Sequence, residues 1–287
     1  MDNMYYYEDA MPKSTTNQDD YLKYFTDESL NLFDKLNNII KKGQPFQKQA
    51  LLNNLYIYTN NSLFKSLMQF IISDIGTWDT NTLLLFPKCI YNVFAKSSSI
   101  LNNELFNTIF EHLIITISSD NEKLLDDYIF YFDKIIDLFS NIKVFPYIIK
   151  DEIFEIVISL GKFGQSIKNR KMCCYLTSCL CRIINDSNNE NSKKLFSRIS
   201  LLFCDNEKSV ETQITKEVQY LIPIFSDKLF NNSDIIKAID SYINKDSDHI
   251  IQTTILVSLI INIKYLNEEF INLIIDKINE ILIYEHY

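Results

Sequence analysis

Glycine is almost missing from this chain. Four glycines and five prolines serve 287 residues. A β-rich or doubly wound α/β fold of this length needs more glycine for tight turns and phosphate loops. The two closest glycines, Gly161 and Gly164, stand in GKFG, which lacks the spacing of a P-loop and reads as a structural turn. Histidine is scarce too. His112, His249 and His286 fall in no HExxH or other ligand spacing, and no GxSxG occurs. No apolar run approaches the ~20 residues of a membrane span. The longest, Ile255–Ile263, is interrupted by Ser258 and Asn262. Basic charge is in deficit, with 28 Lys and Arg against 37 Asp and Glu, a net of −9. That balance argues against a nucleic-acid partner. The first ten residues lack the charged and apolar regions of a signal peptide, so the expected compartment is the cytoplasm or nucleus, with reduced thiols. The expectation is a chain with no cofactor, no metal, no catalytic residue, no nucleic-acid partner and no membrane partner.

Apolar residues make up 47% of the chain, ample for a core. Isoleucine and asparagine are abundant and alanine is rare, so intrinsic helix propensity is modest and packing must hold the helices. Four of the six cysteines, Cys173, Cys174, Cys179 and Cys181, fall together and invite a zinc reading. On a helix Cys174 and Cys181 lie within about 20° of each other, but Cys179 points away, so one helix cannot close a tetrahedral site. These four read as core packing, as do Cys89 and Cys204. Acid pairs such as Asp126–Asp127 read as solvated helix faces.

Met1 to Asp19 carries no apolar period and reads as a disordered acidic tail over residues 1–19. Tyr5, Tyr6 and Tyr7 beside Glu8 and Asp9 form a solvated tail or a short docking segment. From residue 20 to 287 the pattern is helical. Met172, Leu176, Cys179 and Ile183 form one stripe; Leu195, Ile199 and Leu202 form another; Val210, Ile214, Val218 and Leu221 form a third. The same period gives about thirteen helices, from Tyr21–Lys42 through Phe46–Tyr58 and Pro146–Leu160 to Phe270–Ile283, and no strand. Asn267 is the expected N-cap of the last helix.

The turns keep a register. Asp79, Asp120, Gly164, Asp205 and Asp246 follow one another at steps of 41, 44, 41 and 41 residues. A period near 40–47 residues with two helices per unit is the mark of HEAT or armadillo arrays, and two helices favour HEAT. The expected fold is an all-α solenoid of about six HEAT-like helix pairs plus a terminal helix, over residues 20–287. A HEAT unit has a basic residue just after the valine that follows its turn aspartate. Here Glu211 follows Val210, which leaves the stacking contact of that residue without its usual donor.

GKFGQSIKNRKMCCYLTSCLCRI followed by LFCDNEKSVETQITKEVQYLIPIF resembles the HEAT-repeat regulatory subunits of serine/threonine phosphatases, those of protein phosphatase 4 first and the protein phosphatase 2A scaffold more distantly. The resemblance covers Gly161–Phe225. It implies a non-catalytic protein that binds a phosphatase catalytic subunit through turns inside the helix pairs. The residues expected to line that ridge are Trp78, Asp79, Asp120, Gly164, Gln165, Lys168, Asp205, Asn206 and Lys208. The bland alternative is that they cap helices. Trp78 feeds a second reading, a tubulin or transport adaptor, because tubulin-binding HEAT domains carry a tryptophan at such a turn; the alternative is an aromatic that seals the local core. A third reading is an all-α enzyme with a dispersed site, to be recognised by an enclosed pocket of convergent titratable groups.

Overall fold

The computed structural model describes residues 29–60, 63–97, 102–119, 121–141, 147–184, 186–244 and 248–284. The expected tail 1–19, Asp120 and Asp246 lie outside the described residues. Among the described residues there are thirteen α-helices, three short 3-10 helices and no strand. The chain is all-α, and it divides into two compact units, Met1–Ile100 and Leu101–Tyr287.

The first unit holds α1 (Leu32–Lys42), α2 (Pro45–Asn53), α3 (Phe64–Asp74) and α4 (Thr80–Ser97). Gly43 and Pro45 separate the first two as their chemistry directs: Gly43 closes α1 with a bond to Ile39 C=O, and Pro45 opens α2. In this unit α1 packs on α3 and α2 on α4, so each pair stacks on the next in two rows. Two sequence expectations differ from the structure here. Helix α1 begins at Leu32, where the Asn31 side chain accepts from Asp34 N–H, and residues 21–28 of the expected Tyr21–Lys42 helix lie outside the described residues. Helix α2 stops at Asn53 and the chain goes on as a 3-10 turn, Leu55–Asn60; the Asn54 side chain bonds back to Ala50 C=O and competes with the next helical turn.

The second unit holds four helix pairs and a last helix. They are α5 (Asn103–Ile117) with α6 (Glu122–Ser140), α7 (Asp151–Leu160) with α8 (Ile167–Cys181), α9 (Glu190–Leu202) with α10 (Lys208–Leu229), α11 (Ser233–Ile243) with α12 (His249–Ile261), and α13 (Glu268–Tyr284). First helices pack on first helices, α5 on α7 on α9, and second on second, α8 on α10 on α12. That two-row stack is the solenoid arrangement the period predicts. The three stripes read from sequence fill its centre: Leu176, Cys179, Leu195, Ile199, Val210, Ile214, Val218 and Leu221 are all buried. Asn267 caps α13 as expected, accepting from Phe270 N–H at 3.0 Å.

Polar side chains tie each pair to the next across about one repeat. Asn107 is the clearest case. Its amide donates to Ile148 C=O at 2.8 Å and accepts from Lys150 N–H at 2.9 Å. This holds the backbone before α7 extended, so α7 begins at Asp151 and not at Pro146. Two glycines are required by geometry. A Cβ at Gly161 would lie 2.7 Å from the Cys173 sulfur, and Gly164 has φ +92 at the tip of the α7–α8 turn.

One core expectation fails. Cys204 is exposed, because α9 ends at Leu202 and the next residue, Phe203, turns into the core in its place. The other five cysteines are buried as free thiols.

Candidate functional site

The turns inside the helix pairs of the second unit form one chain of contacts. Ser119 sits in the α5–α6 turn, Gly164 and Gln165 in the α7–α8 turn, Asp205 and Asn206 in the α9–α10 turn, and Asp248 at the start of α12. The first turn of α8 reaches in both directions. Lys168 Nζ donates to Ser119 C=O at 2.8 Å. Arg170 donates to both oxygens of Asp205, at 2.8 and 3.3 Å, and to Gln165 C=O at 2.6 Å. Lys208, which opens α10, pairs with Asp248 at 2.9 Å. Arg170 thus supplies the cation that Glu211 does not, from the preceding pair. A fork-shaped guanidinium on a carboxylate fixes distance and angle together.

This accounts for most of the predicted ridge residues. Asp205 and Lys208 are engaged within the chain and hold turn to turn. Lys168 is half-buried over Ser119, and Gln165 also accepts from Asn169 at 2.9 Å. Gly164 and Asn206 are exposed. The sequence reading missed Phe163, which is fully exposed beside Gly164. The signal was available: an aromatic residue between Lys162 and Gly164, in phase with no apolar stripe.

In the first unit the two predicted residues do structural work. Trp78 is buried, not presented on a turn. Its indole N–H donates to Asp74 at 3.1 Å, and Lys48 Nζ lies 4.9 Å over its ring. That is the core-sealing reading. Asp79 accepts from Thr82 N–H at 3.0 Å and Thr82 hydroxyl at 2.5 Å, which holds its carboxyl below the usual range and caps α4.

A second feature lies on the row of second helices. A pocket of about 340 Å³ opens between α6, α8 and α10. Asp133 and Asp137 line it from α6, Tyr175, Ser178 and Arg182 from α8, and Lys216, Glu217 and Tyr220 from α10. Arg182 lies across its floor, 12% exposed, bonded to Asp137 and, at 3.3 Å, to Asp133, with its guanidinium 4.9 Å from the Tyr220 ring centroid. Glu217 is only 7% exposed; it accepts from Ser178 Oγ at 2.5 Å and from Gln213 Nε2 at 2.5 Å. Burial raises its carboxyl to about 7 against the pull of those two bonds, and burial pushes Asp133 up as well. Nothing in the apolar stripes announced this pocket. Its trace in the sequence is that polar residues recur one repeat apart on successive second helices, Asp133 to Ser178 to Glu217 and Asp137 to Arg182 to Tyr220.

Among the described residues no three His, Cys, Asp or Glu side chains converge as a metal site, and no helix is long and apolar enough to cross a membrane.

No family model and no curated protein matches the chain. Several solved structures resemble it, two of which are described. One is a computationally designed armadillo repeat protein for modular peptide recognition, with a TM-score of 0.38 and 12% identity over 80% of this chain and 99% of that one. The other is an engineered protein, with a TM-score of 0.36 and 12% identity over 81% of this chain and 98% of that one. Likeness at this level says nothing about function, and the helical stack stands on the chain's own packing.

Proposed function

We propose that the chain is a non-catalytic helical-repeat scaffold that holds a protein partner along the turn ridge of its second unit. The observation that carries this reading is Phe163. A fully exposed phenylalanine contributes nothing to the core. It stands on a turn locked by Arg170 and flanked by turns tied through Lys168 and Asp205. An aromatic on a rigid, loop-bearing scaffold is the kind of anchor that dominates protein interfaces. Gly164 and Asn206 complete the accessible part of the surface, while Gln165, Lys168, Asp205 and Lys208 hold it in shape. The cytoplasm or nucleus is the compartment this reading needs.

The finer reading, a serine/threonine phosphatase catalytic subunit as the partner, rests on the resemblance of Gly161–Phe225. The enzymatic alternative would draw on the α6–α8–α10 pocket and the raised carboxyl of Glu217. The Ser178 hydroxyl that donates to Glu217 is itself buried and out of a substrate's reach.

Co-precipitation of phosphatase from a cell extract with the tagged full chain tests both levels. The choice of variant matters. Reversing Asp205 and Lys208 breaks two contacts inside the chain as well as any to a partner. Phe163→Ser touches only solvent, and a substitution of that kind leaves stability within about 0.5 kcal/mol. Recovery of the phosphatase is expected to fall at least about tenfold with Phe163→Ser at an unchanged melting temperature, as for loss of an interface anchor. Equal recovery by both proteins would remove the α7–α8 turn as the docking site. Recovery by neither would remove the phosphatase.

A further inference from the structure

The pocket between α6, α8 and α10 has a chemistry of its own, separate from the turn ridge. It offers three carboxyl groups, Asp133, Asp137 and Glu217, against two cations, Arg182 and Lys216. Arg182 is already offset by both aspartates and lies in the floor. Lys216 is exposed at the edge. Asp137 keeps 64% of its side chain in solvent, and its bond to Arg182 uses one of several acceptor directions of a carboxylate. Tyr175 and Tyr220 add aromatic walls, and Tyr220 already faces a guanidinium. An anion entering here would meet Asp133 and Asp137. A cation would meet them favourably and would offset the burial of Glu217.

The neighbouring helix says what carries the cation. One 41-residue step beyond Lys216 and Tyr220, the α12 positions are Val257 and Ile261, and both are exposed, as is Ile250. From Ile250 to Ile261 α12 bears no charged side chain. The surface beside the acidic pocket is thus an aliphatic strip. A free small cation has no use for that strip, whereas a polypeptide with a basic residue next to aliphatic ones matches both parts.

We propose that the α6–α8–α10 pocket receives the arginine or lysine side chain of a partner polypeptide, whose adjoining aliphatic residues lie on α12. The site does not depend on the phosphatase reading and is tested without it. The probe is a capped peptide, Gly-Ser-Arg-Ser-Leu-Leu-Gly, titrated into the isotope-labelled full chain while amide shifts of α8, α10 and α12 are followed. Saturable shifts on those three helices are expected. Replacing the arginine by citrulline, a neutral isostere, is expected to weaken binding about tenfold, a step of about 1.4 kcal/mol. Asp137→Asn is expected to weaken the arginine peptide by a similar factor, with Asp137→Glu restoring it and helical circular dichroism unchanged. Glu217→Gln provides a second variant should the first perturb the fold. Equal affinity for the arginine and citrulline peptides, affinity unmoved by both variants, or no saturable shift would overturn the proposal. Displacement of the peptide by spermidine at the same concentration would also overturn it, since the site would then read a free cation and not a polypeptide.

Discussion

Glu217 shows what one residue does in a stack of helices. It sits in the second helix of its pair, beside Val218 of the apolar stripe, and its carboxyl is carried into the interior between α8 and α10. Two donors meet it, but burial outweighs them and lifts its pKa from 4.5 to about 7. The sign follows from linkage. The unfolded chain releases this proton near 4.5 and the folded chain near 7, so between those values the folded state binds more protons. Stability therefore falls as pH rises through that window, by at most about 3 kcal/mol, and the loss is complete above it. Glu217→Gln removes the titration and keeps the shape. The melting temperature of this variant is expected to gain on wild type steadily from pH 5 to pH 8, with little difference at the acid end. A difference independent of pH would show that Glu217 is not the group that titrates. Sequence reading had no access to this, since helical period marks a face as apolar or polar and does not report how deep a polar residue sits. It misjudged Cys204 for a related reason: a cysteine two residues past a stripe looks apolar, and only the end of α9 decides that it faces solvent.

At the scale of elements, α10 runs from Lys208 to Leu229 with Pro223 inside it, and Phe225 leaves helical geometry at φ −116. Proline has no N–H, so the carbonyl four residues before it, that of Gln219, loses its helical donor. The next pair supplies one. Asn262, at the end of α12, donates to Gln219 C=O at 2.9 Å and to Ser258 C=O at 2.9 Å. Asn262 is itself buried, so both bonds matter. In sequence Asn262 only interrupted an apolar run, and Pro223 only followed a stripe. Each is ordinary alone, and the bond from Asn262 to Gln219 C=O, 43 residues earlier, is invisible without the stack. Asn262→Ala is expected to cost about 1 kcal/mol, the usual net loss for a hydrogen bond to a part-buried carbonyl. In a Pro223→Ala background the same change is expected to cost clearly less, because the alanine N–H can return to Gln219. A urea double-mutant cycle measures the difference. An equal cost in both backgrounds would mean that Asn262 acts through Ser258 alone.

For the molecule as a whole, the legible part was the repeat. The 41- to 44-residue steps between turns reappear as contacts between residues a repeat apart, such as Asn107 with Ile148 C=O and with Lys150 N–H. Period and turn chemistry thus reported which helices stack. They could not report that the turn charges are spent on one another, because that depends on where each helix ends and on the turn beside it. The same whole-chain view leads to a prediction about metal. The chain holds six cysteines, four of them within α8. All four are buried, and burial pushes their thiols up, that of Cys173 to about 12 and Cys174 and Cys179 well above their ordinary value. A cysteine ligates as thiolate, so metal binding there would have to overcome this shift as well as the divergence of the side chains around one helix. The fold rests instead on stacked apolar stripes and on side chains such as Asn107, Arg170 and Asn262 that bridge neighbouring pairs. Excess EDTA is therefore expected to leave the melting temperature of the full chain where it was, and the protein purified under reducing conditions is expected to carry zinc well below stoichiometry by elemental analysis. A melting temperature lowered by EDTA, or one equivalent of zinc, would show that the cysteines of α8 bind metal and that this helix has been misread as core.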